Sequence, residues 1–202
     1  MVEFDHASHT YQVDGEKLDS VTTILKDEGF IDERWYTPGS ADRGSLIHEA
    51  TAAIDREDLD LQDFEGEEIY PYLQAWKKFK QENSFLPQYI EKQVHDPNLK
   101  YAGTLDRIGM WKDGQEVLLD IKSGKSELWH GLQLAAYHLA AGLCIPDLAE
   151  SIDRRVVLLE SSGRYKVVDK NKRIGPYGSS AWDAIWQTIC TARVYRKRYA
   201  KV

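Results

Sequence analysis

Cysteine is nearly absent from this chain: Cys144 and Cys190 are the only two in 202 residues. Two thiols cannot build a disulfide framework, and both are expected to stay reduced. They also fall short of the four cysteines that usually hold an iron–sulfur cluster, so no cluster is expected. No apolar run approaches the roughly 20 residues needed to cross a membrane. The opening MVEFDHASHT has neither the basic segment nor the apolar one that directs secretion. A cytoplasmic protein with no membrane partner is therefore expected. Positive charge is in deficit too, with 26 Lys and Arg against 33 Asp and Glu and a net charge of −7. That balance argues against general affinity for nucleic acid. The deficit is uneven, however. Residues 55–68 are strongly acidic, whereas Arg193, Arg196, Lys197, Arg198 and Lys201 crowd the last ten positions with no acid among them. Internal repeats and low-complexity segments are lacking as well.

What remains is ordinary globular composition, 42% hydrophobic and 29% charged. The length suits one domain with a sizeable core. The most informative stretch runs from Gly103 to Tyr137, GTLDRIGMWKDGQEVLLDIKSGKSELWHGLQLAAY. Thr104 to Trp111 and Glu116 to Lys122 are rich in Leu, Ile and Val, and Asp113-Gly114 lies between them, which predicts an antiparallel hairpin. Each strand carries an aspartate, Asp106 and Asp120, and period two puts Lys122 on the face of Asp120. Asp120 follows Val117-Leu118-Leu119 and precedes Ile121, a setting that reads as buried. Buried carboxylates are rare unless paired or metal-bound, and converging oxygen ligands suit Mg²⁺ or Mn²⁺.

The rest of the chain reads as alternating elements. A small hairpin over 4–18 turns at Asp14-Gly15, with His6 and His9 beside it as exposed histidines. A short helix over 21–28 starts at Ser20 as N-cap and ends at Gly29. After a linker with Trp35, Pro38 and Gly39, a helix spans 41–56, capped by Ser40 and packed through Leu46, Ile47, Ala50 and Ile54. An acidic loop over 57–68 leads to an amphipathic helix over 69–83 with Tyr72, Ala75, Trp76 and Phe79 on its buried side. Pro87 ends that region, and a strand follows over 88–94. Beyond the central hairpin come a helix over 127–143, with Leu132, Ala136, Leu139 and Leu143 as its stripe, and a hairpin over 154–170 carrying Lys166 and Lys170. Lys172 and Arg173 continue that basic edge, which reads as solvated and could also touch a phosphate backbone. A last helix over 180–200 packs through Trp182, Ile185, Trp186, Ile189 and Ala192.

The order G-x-x-D (Gly103, Asp106), D-x-K (Asp120, Lys122) and Q-x-x-x-Y on the next helix (Gln133, Tyr137) resembles the PD-(D/E)xK nuclease superfamily in its RecB-like branch. D-x-K alone occurs often by chance; three motifs in order at compatible spacing are specific. The string Arg43-Gly44-x-x-x-His48-Glu49 is similar to the first motif of that branch, whose histidine binds metal. The resemblance covers residues 40–140 well and the remainder loosely, and within the branch the histidine-bearing motif and compact size resemble phage recombination exonucleases and the mitochondrial genome maintenance exonuclease. It implies an α/β restriction-endonuclease-like fold with a mixed central sheet flanked by helices. The core would span about 40–143, flanked by a hairpin and helix over 1–39 and another pair over 150–202. It implies Mg²⁺ or Mn²⁺, one ion or two, on His48, Asp106, Asp120 and the backbone carbonyl of Ile121. Lys122 would act on the attacking water, and Gln133 and Tyr137 would border the nucleic acid. Glu91 holds the place of a family glutamate, as a ligand, a supporting base or an exposed strand residue. The implied activity is a metal-dependent exonuclease on DNA ends, single-stranded ones foremost, in recombination, repair or phage DNA processing, in a bacterial or phage-infected cell and with a recombination or replication protein as partner. An endonuclease of the same fold and a non-catalytic DNA-binding subunit are the rivals.

The hairpin poses a register problem. A two-residue Asp113-Gly114 loop would set Asp106 against Ile121, and the two aspartates would point to opposite faces. A three-residue loop, Lys112-Asp113-Gly114 with the glycine left-handed, sets Asp106 against Asp120. Local turn statistics favour the first arrangement. A shared metal site demands the second, which is the expectation.

Overall fold

The computed structural model describes residues 2–5, 10–32, 39–149, 152–170 and 179–199. His6, His9, Trp35, Pro38, Lys172, Arg173 and Lys201 lie outside them. Strands β1 (Val2–Asp5), β2 (Thr10–Val13) and β3 (Glu16–Ser20) form a meander, one strand more than the expected hairpin. Helices α1 (Val21–Asp27) and α2 (Ser40–Asp55), a 3₁₀ turn (Leu61–Phe64) and α3 (Tyr70–Asn83) follow. Then come β4 (Leu86–Asp96), β5 (Tyr101–Met110), β6 (Glu116–Lys122), α4 (His130–Cys144), β7 (Asp153–Leu159), β8 (Tyr165–Asp169) and α5 (Ser179–Tyr199). The sheet is mixed: β5 pairs antiparallel with β4 and β6, while β3–β5 and β6–β7 are parallel.

Strand alternation divides the core into two layers. On one face Leu118, Val156 and Leu158 meet α1, α4 and α5 through Ile24, Leu134 and Trp186. On the other, Val117, Leu119, Ile121 and Val157 meet α2 and α3 through Ile47, Leu73, Trp76 and Phe79. The chain is thus an α/β protein with a mixed sheet between helices.

Several local expectations shift. Ser20 caps α1 as its sequence suggests, its Oγ accepting from Thr23 N–H at 3.0 Å. In α2 the cap is Gly39 in the left-handed region (φ 81°), and Ser40 is already helical. Pro87 does not end a region; it lies inside β4, next to a bulge between Pro87 and Tyr89. Helix α4 starts at His130 rather than 127. Leu46, Leu143, Ile185 and Ala192 are exposed, because a stripe drawn from apolar type alone runs past the area that the neighbouring layer covers. The α5 stripe actually runs through Trp182, Trp186, Ile189 and Cys190.

The two Asp-Gly turns differ. Asp14-Gly15 is a two-residue loop with both residues at positive φ (49° and 82°), joining Val13 to Glu16. At the central hairpin Trp111 N–H donates to the Gln115 carbonyl at 2.8 Å and Gly114 N–H to the Trp111 carbonyl at 2.9 Å, so Lys112, Asp113 and Gly114 form the loop. Only Gly114 (φ 79°) is left-handed there, and Asp113 Oδ1 accepts from Gln115 N–H at 3.1 Å. Trp111 packs edge-on to Phe79 at 5.5 Å, which holds the strand end against α3.

Candidate metal centre

The three-residue loop sets the register Arg107↔Leu119, Ile108↔Leu118, Gly109↔Val117 and Met110↔Glu116. Continued by one step, it brings Asp106 opposite Asp120, as a shared site requires. The ladder itself stops there. Ile121, next in line to pair with Leu105, gives its N–H to Asp106 Oδ2 instead, at 2.6 Å. The reason lies along the edge of β5. Residues 101–110 pair with β4 on one edge, while the other edge is divided between β3, at Tyr101 and Ala102, and β6, from Arg107 onward. Among the described residues Gly103 to Asp106 face no strand on that second edge. The carboxylate of Asp106 fills part of the gap and satisfies a buried donor.

Alternation also slips at this point. Leu105 and Ile108 both belong to the α4-side core, although they are three positions apart, an odd step that strict alternation would send to opposite faces. On β4, Glu91 lies across from Asp106 and takes a left-handed conformation (φ 47°), rare outside glycine and worth a cost of order 1–3 kcal/mol. Glu91 and Asp106 approach α2 at His48. There His48 Nδ1 stands 3.5 Å from Asp106 Oδ1 and 3.9 Å from Glu91 Oε1, and one ligand atom from each of the three residues lies within 4.8 Å of the others. Donors around a small divalent cation, each at ~2.1–2.4 Å, are at most ~4.2–4.8 Å apart. The trio is therefore close to ligand spacing. Glu91, whose role the sequence left open among three, faces this cluster.

Asp120 comes to the same gap from the α4 side of β6 and is not one of that trio. Its Oδ1 accepts from Lys122 Nζ at 2.7 Å, and its Oδ2 is buried with no hydrogen-bond partner. Burial raises its pKa, assisted by the nearby Asp106 carboxylate and opposed by the Lys122 ammonium. Burial pulls the His48 imidazole down, but Asp106 and Glu91 outweigh it and the net shift is upward. The trio alone supplies two hard oxygens and one imidazole, a donor set that fits a divalent cation and shifts preference from Mg²⁺ toward Mn²⁺, while Asp120, outside that spacing, adds a buried carboxylate oxygen with no partner. The carbonyl of Ile121 opens on the same gap, since the N–H and C=O of one strand residue point to the same side.

Gln133 and Tyr137 sit one turn apart on the buried face of α4, with Gln133 Nε2 donating to Tyr137 Oη at 3.2 Å. Gln133 Oε1 is the second buried acceptor left without a partner. Burial, reinforced by Asp106, keeps the Tyr137 hydroxyl protonated. Gly103 explains why this tyrosine fits: a Cβ there would lie 2.6 Å from Tyr137 Cε1 and 3.2 Å from Val21 Cγ2. The glycine of the first strand and the tyrosine of the helix are thus two halves of one contact.

A cleft of about 1010 Å³ opens over the cluster, lined by His48, Glu91 and Lys122, by Arg43 of α2 and Arg56 just after it, and by Ser123 to Lys125 and Trp129 before α4. Four cations, Arg43, Arg56, Lys122 and Lys125, line it together with Glu49, Glu91 and Glu127. The basic end of α5 plays no part in it. Arg193, 12% exposed, spans Asp19 and Asp27 at 2.9 Å each and Glu28 at 3.1 Å, Arg196 pairs with Glu28, and Lys197 with Asp19 at 2.5 Å. Those cations clamp α5 to β3 and α1.

Sequence reasoning missed the support beneath the cluster. Arg107, fully buried, donates from Nε to Asp55 Oδ2 at 2.6 Å and from Nη1 to Glu91 Oε1 and to the Asp106 carbonyl, at 2.7 and 2.6 Å. Asp55 also takes Trp76 Nε1 at 3.0 Å and Lys80 Nζ at 2.6 Å. This network ties α2, α3 and β4 to the residue next to Asp106. The available signal was a charged residue inside an apolar strand, Leu105-Asp106-Arg107-Ile108, where burial demands a partner. No protein-family model matches the chain, and no curated protein matches it either.

Proposed function

We propose that this protein is a metal-dependent deoxyribonuclease with a restriction-endonuclease-like, PD-(D/E)xK core, acting on DNA ends. The observation that carries the reading is the meeting of separate sequence motifs at one gap in the sheet: Asp106 opposite Asp120, with His48 at 3.5 Å and Lys122 on Asp120. The hairpin alone brings Asp106 and Asp120 together, but His48 comes from a helix far upstream that has no structural need to meet acids that burial penalises. A fold-stabilising ion pair accounts for Asp120 and Lys122 but not for His48 and Glu91 beside Asp106, nor for the orphaned Asp120 oxygen.

His48, Asp106, Asp120 and the Ile121 carbonyl would hold Mg²⁺ or Mn²⁺, with Glu91 as a further donor. The ion supplies Lewis-acid polarisation of the phosphoryl group and of the attacking water. The chain's own residues do the rest. Lys122 orients that water, or takes its proton, from a position fixed by Asp120. Arg43, Arg56 and Lys125 attract the phosphate backbone into the cleft. Gln133 and Tyr137, buried on α4, support the site from behind and are not among the residues that line the cleft.

The motifs resemble those of end-processing enzymes, and that favours end-directed cutting over site-specific cutting. The test is digestion of end-labelled linear DNA and covalently closed circles, each with Mn²⁺ or EDTA. Release of nucleotides from linear DNA alone, abolished by EDTA, is expected. Efficient cutting of closed circles would favour the endonuclease rival. Intact linear DNA under all metal conditions would overturn the enzyme reading.

A further inference from the structure

His130 opens α4, is 2% exposed, and forms part of the cleft wall beside Lys122. Its Nδ1 accepts the backbone N–H of Glu127 at 3.2 Å. That bond fixes the tautomer, since a ring nitrogen that accepts carries no proton, and the proton of the neutral ring is then on Nε2. Burial, with Lys122 and Lys170 nearby, pushes the imidazole down to about 2, so the ring stays neutral. Among the described residues it makes no other hydrogen bond.

The ring is also rigidly held. Trp129 lies edge-on to it at 4.2 Å. The next residue, Gly131, lies so close to Trp182 of α5 that a Cβ would come within 2.5 Å of the indole. Lys170 Nζ donates to Ser126 Oγ and the Glu127 carbonyl, both at 3.0 Å, which anchors the segment that His130 caps. The result is a preorganised donor with no acceptor of its own, in a wall where a further cation would be repelled by two lysines. An anionic oxygen is the acceptor that suits both the donor and the lysines.

We infer that His130 is a phosphate-binding residue of this cleft, its Nε2–H donating to a non-bridging oxygen of the nucleic-acid backbone beside Lys122. The inference rests on the nuclease reading and adds a residue that none of the three sequence motifs contains.

Two substitutions separate binding from architecture. In His130→Asn the side-chain oxygen can still accept from Glu127 N–H, but the Nε2 donor is gone. In His130→Gln the amide nitrogen reaches roughly where Nε2 was. With a short labelled oligothymidylate in EDTA, His130→Asn should melt within about two degrees of wild type yet bind roughly tenfold more weakly, the effect expected for a hydrogen bond to a charged group. His130→Gln should recover part of that loss. In wild type, ¹⁵N spectra of the imidazole should show the Nε2–H tautomer and a shift of that nitrogen on adding the oligonucleotide. Binding by wild type with an unmoved His130 nitrogen, or equal affinity in His130→Asn, would overturn this assignment alone. No binding and no cleavage by wild type would overturn the nuclease reading and the assignment with it.

Discussion

Asp120→Asn should abolish cleavage while leaving the fold at least as stable as before. Losing a ligand charge forfeits several kcal/mol of transition-state stabilisation, which corresponds to a rate loss of roughly a thousandfold or more. Asp106→Ala and Lys122→Ala should lose comparable activity. The stability half of the prediction is the more diagnostic. Asp120 is buried, one of its oxygens has no partner, and its pKa is raised to about 6. A carboxyl raised on folding stabilises the fold fully only below its unfolded pKa of about 4. That contribution is lost as pH rises through the folded value, so at neutral pH the charge works against folding. Asparagine removes the charge and should hold or raise the melting temperature at pH 7.5. A residue retained only for structure would behave in the opposite way. Normal turnover in any one of the three variants would refute their roles.

Arg107→Met should be the most destabilising single substitution at the site. Its guanidinium is fully buried among Asp55, Glu91 and Thr51, and it lies over the Trp76 ring at 5.6 Å. Methionine fills much of the volume but leaves Asp55 with only Lys80 and Trp76, and Glu91 without its donor. Removing one partner of a buried pair costs about 3–5 kcal/mol, measurable as a drop in denaturant midpoint with unchanged slope. The double variant Asp55→Asn/Arg107→Met should recover part of that loss, because it removes the stranded charge as well. Full stability in Arg107→Met would show that the network is incidental.

The parts of the site legible in sequence were those fixed by local pattern. Alternation placed the apolar residues of β6, and the Asp-Gly pair located the hairpin. The spacing of Gln133 and Tyr137 gave one helix face. The three-residue loop was reached through chemistry rather than turn preference, since a shared site demanded Asp106 opposite Asp120. What stayed hidden depends on residues far apart in the chain. The unpaired edge of β5 exists only because β3 and β6 divide it, and β3 lies about 80 positions upstream. The left-handed Glu91 and the slip between Leu105 and Ile108 leave no mark in residue type. Arg107 was visible as a charge in an apolar strand, but its partner Asp55 sits at the end of a helix that precedes it by about fifty residues. Stripes drawn from hydrophobic type failed where coverage ends, as at Leu46 and Leu143.

Crystals soaked in Mn²⁺ and measured at the manganese absorption edge test the central claim most directly. An anomalous peak within ligand distance of Asp106 and His48, lost in Asp106→Asn, is the predicted result. No peak at that gap under Mn²⁺ concentrations that support cleavage, or a single peak elsewhere in the molecule, would contradict it.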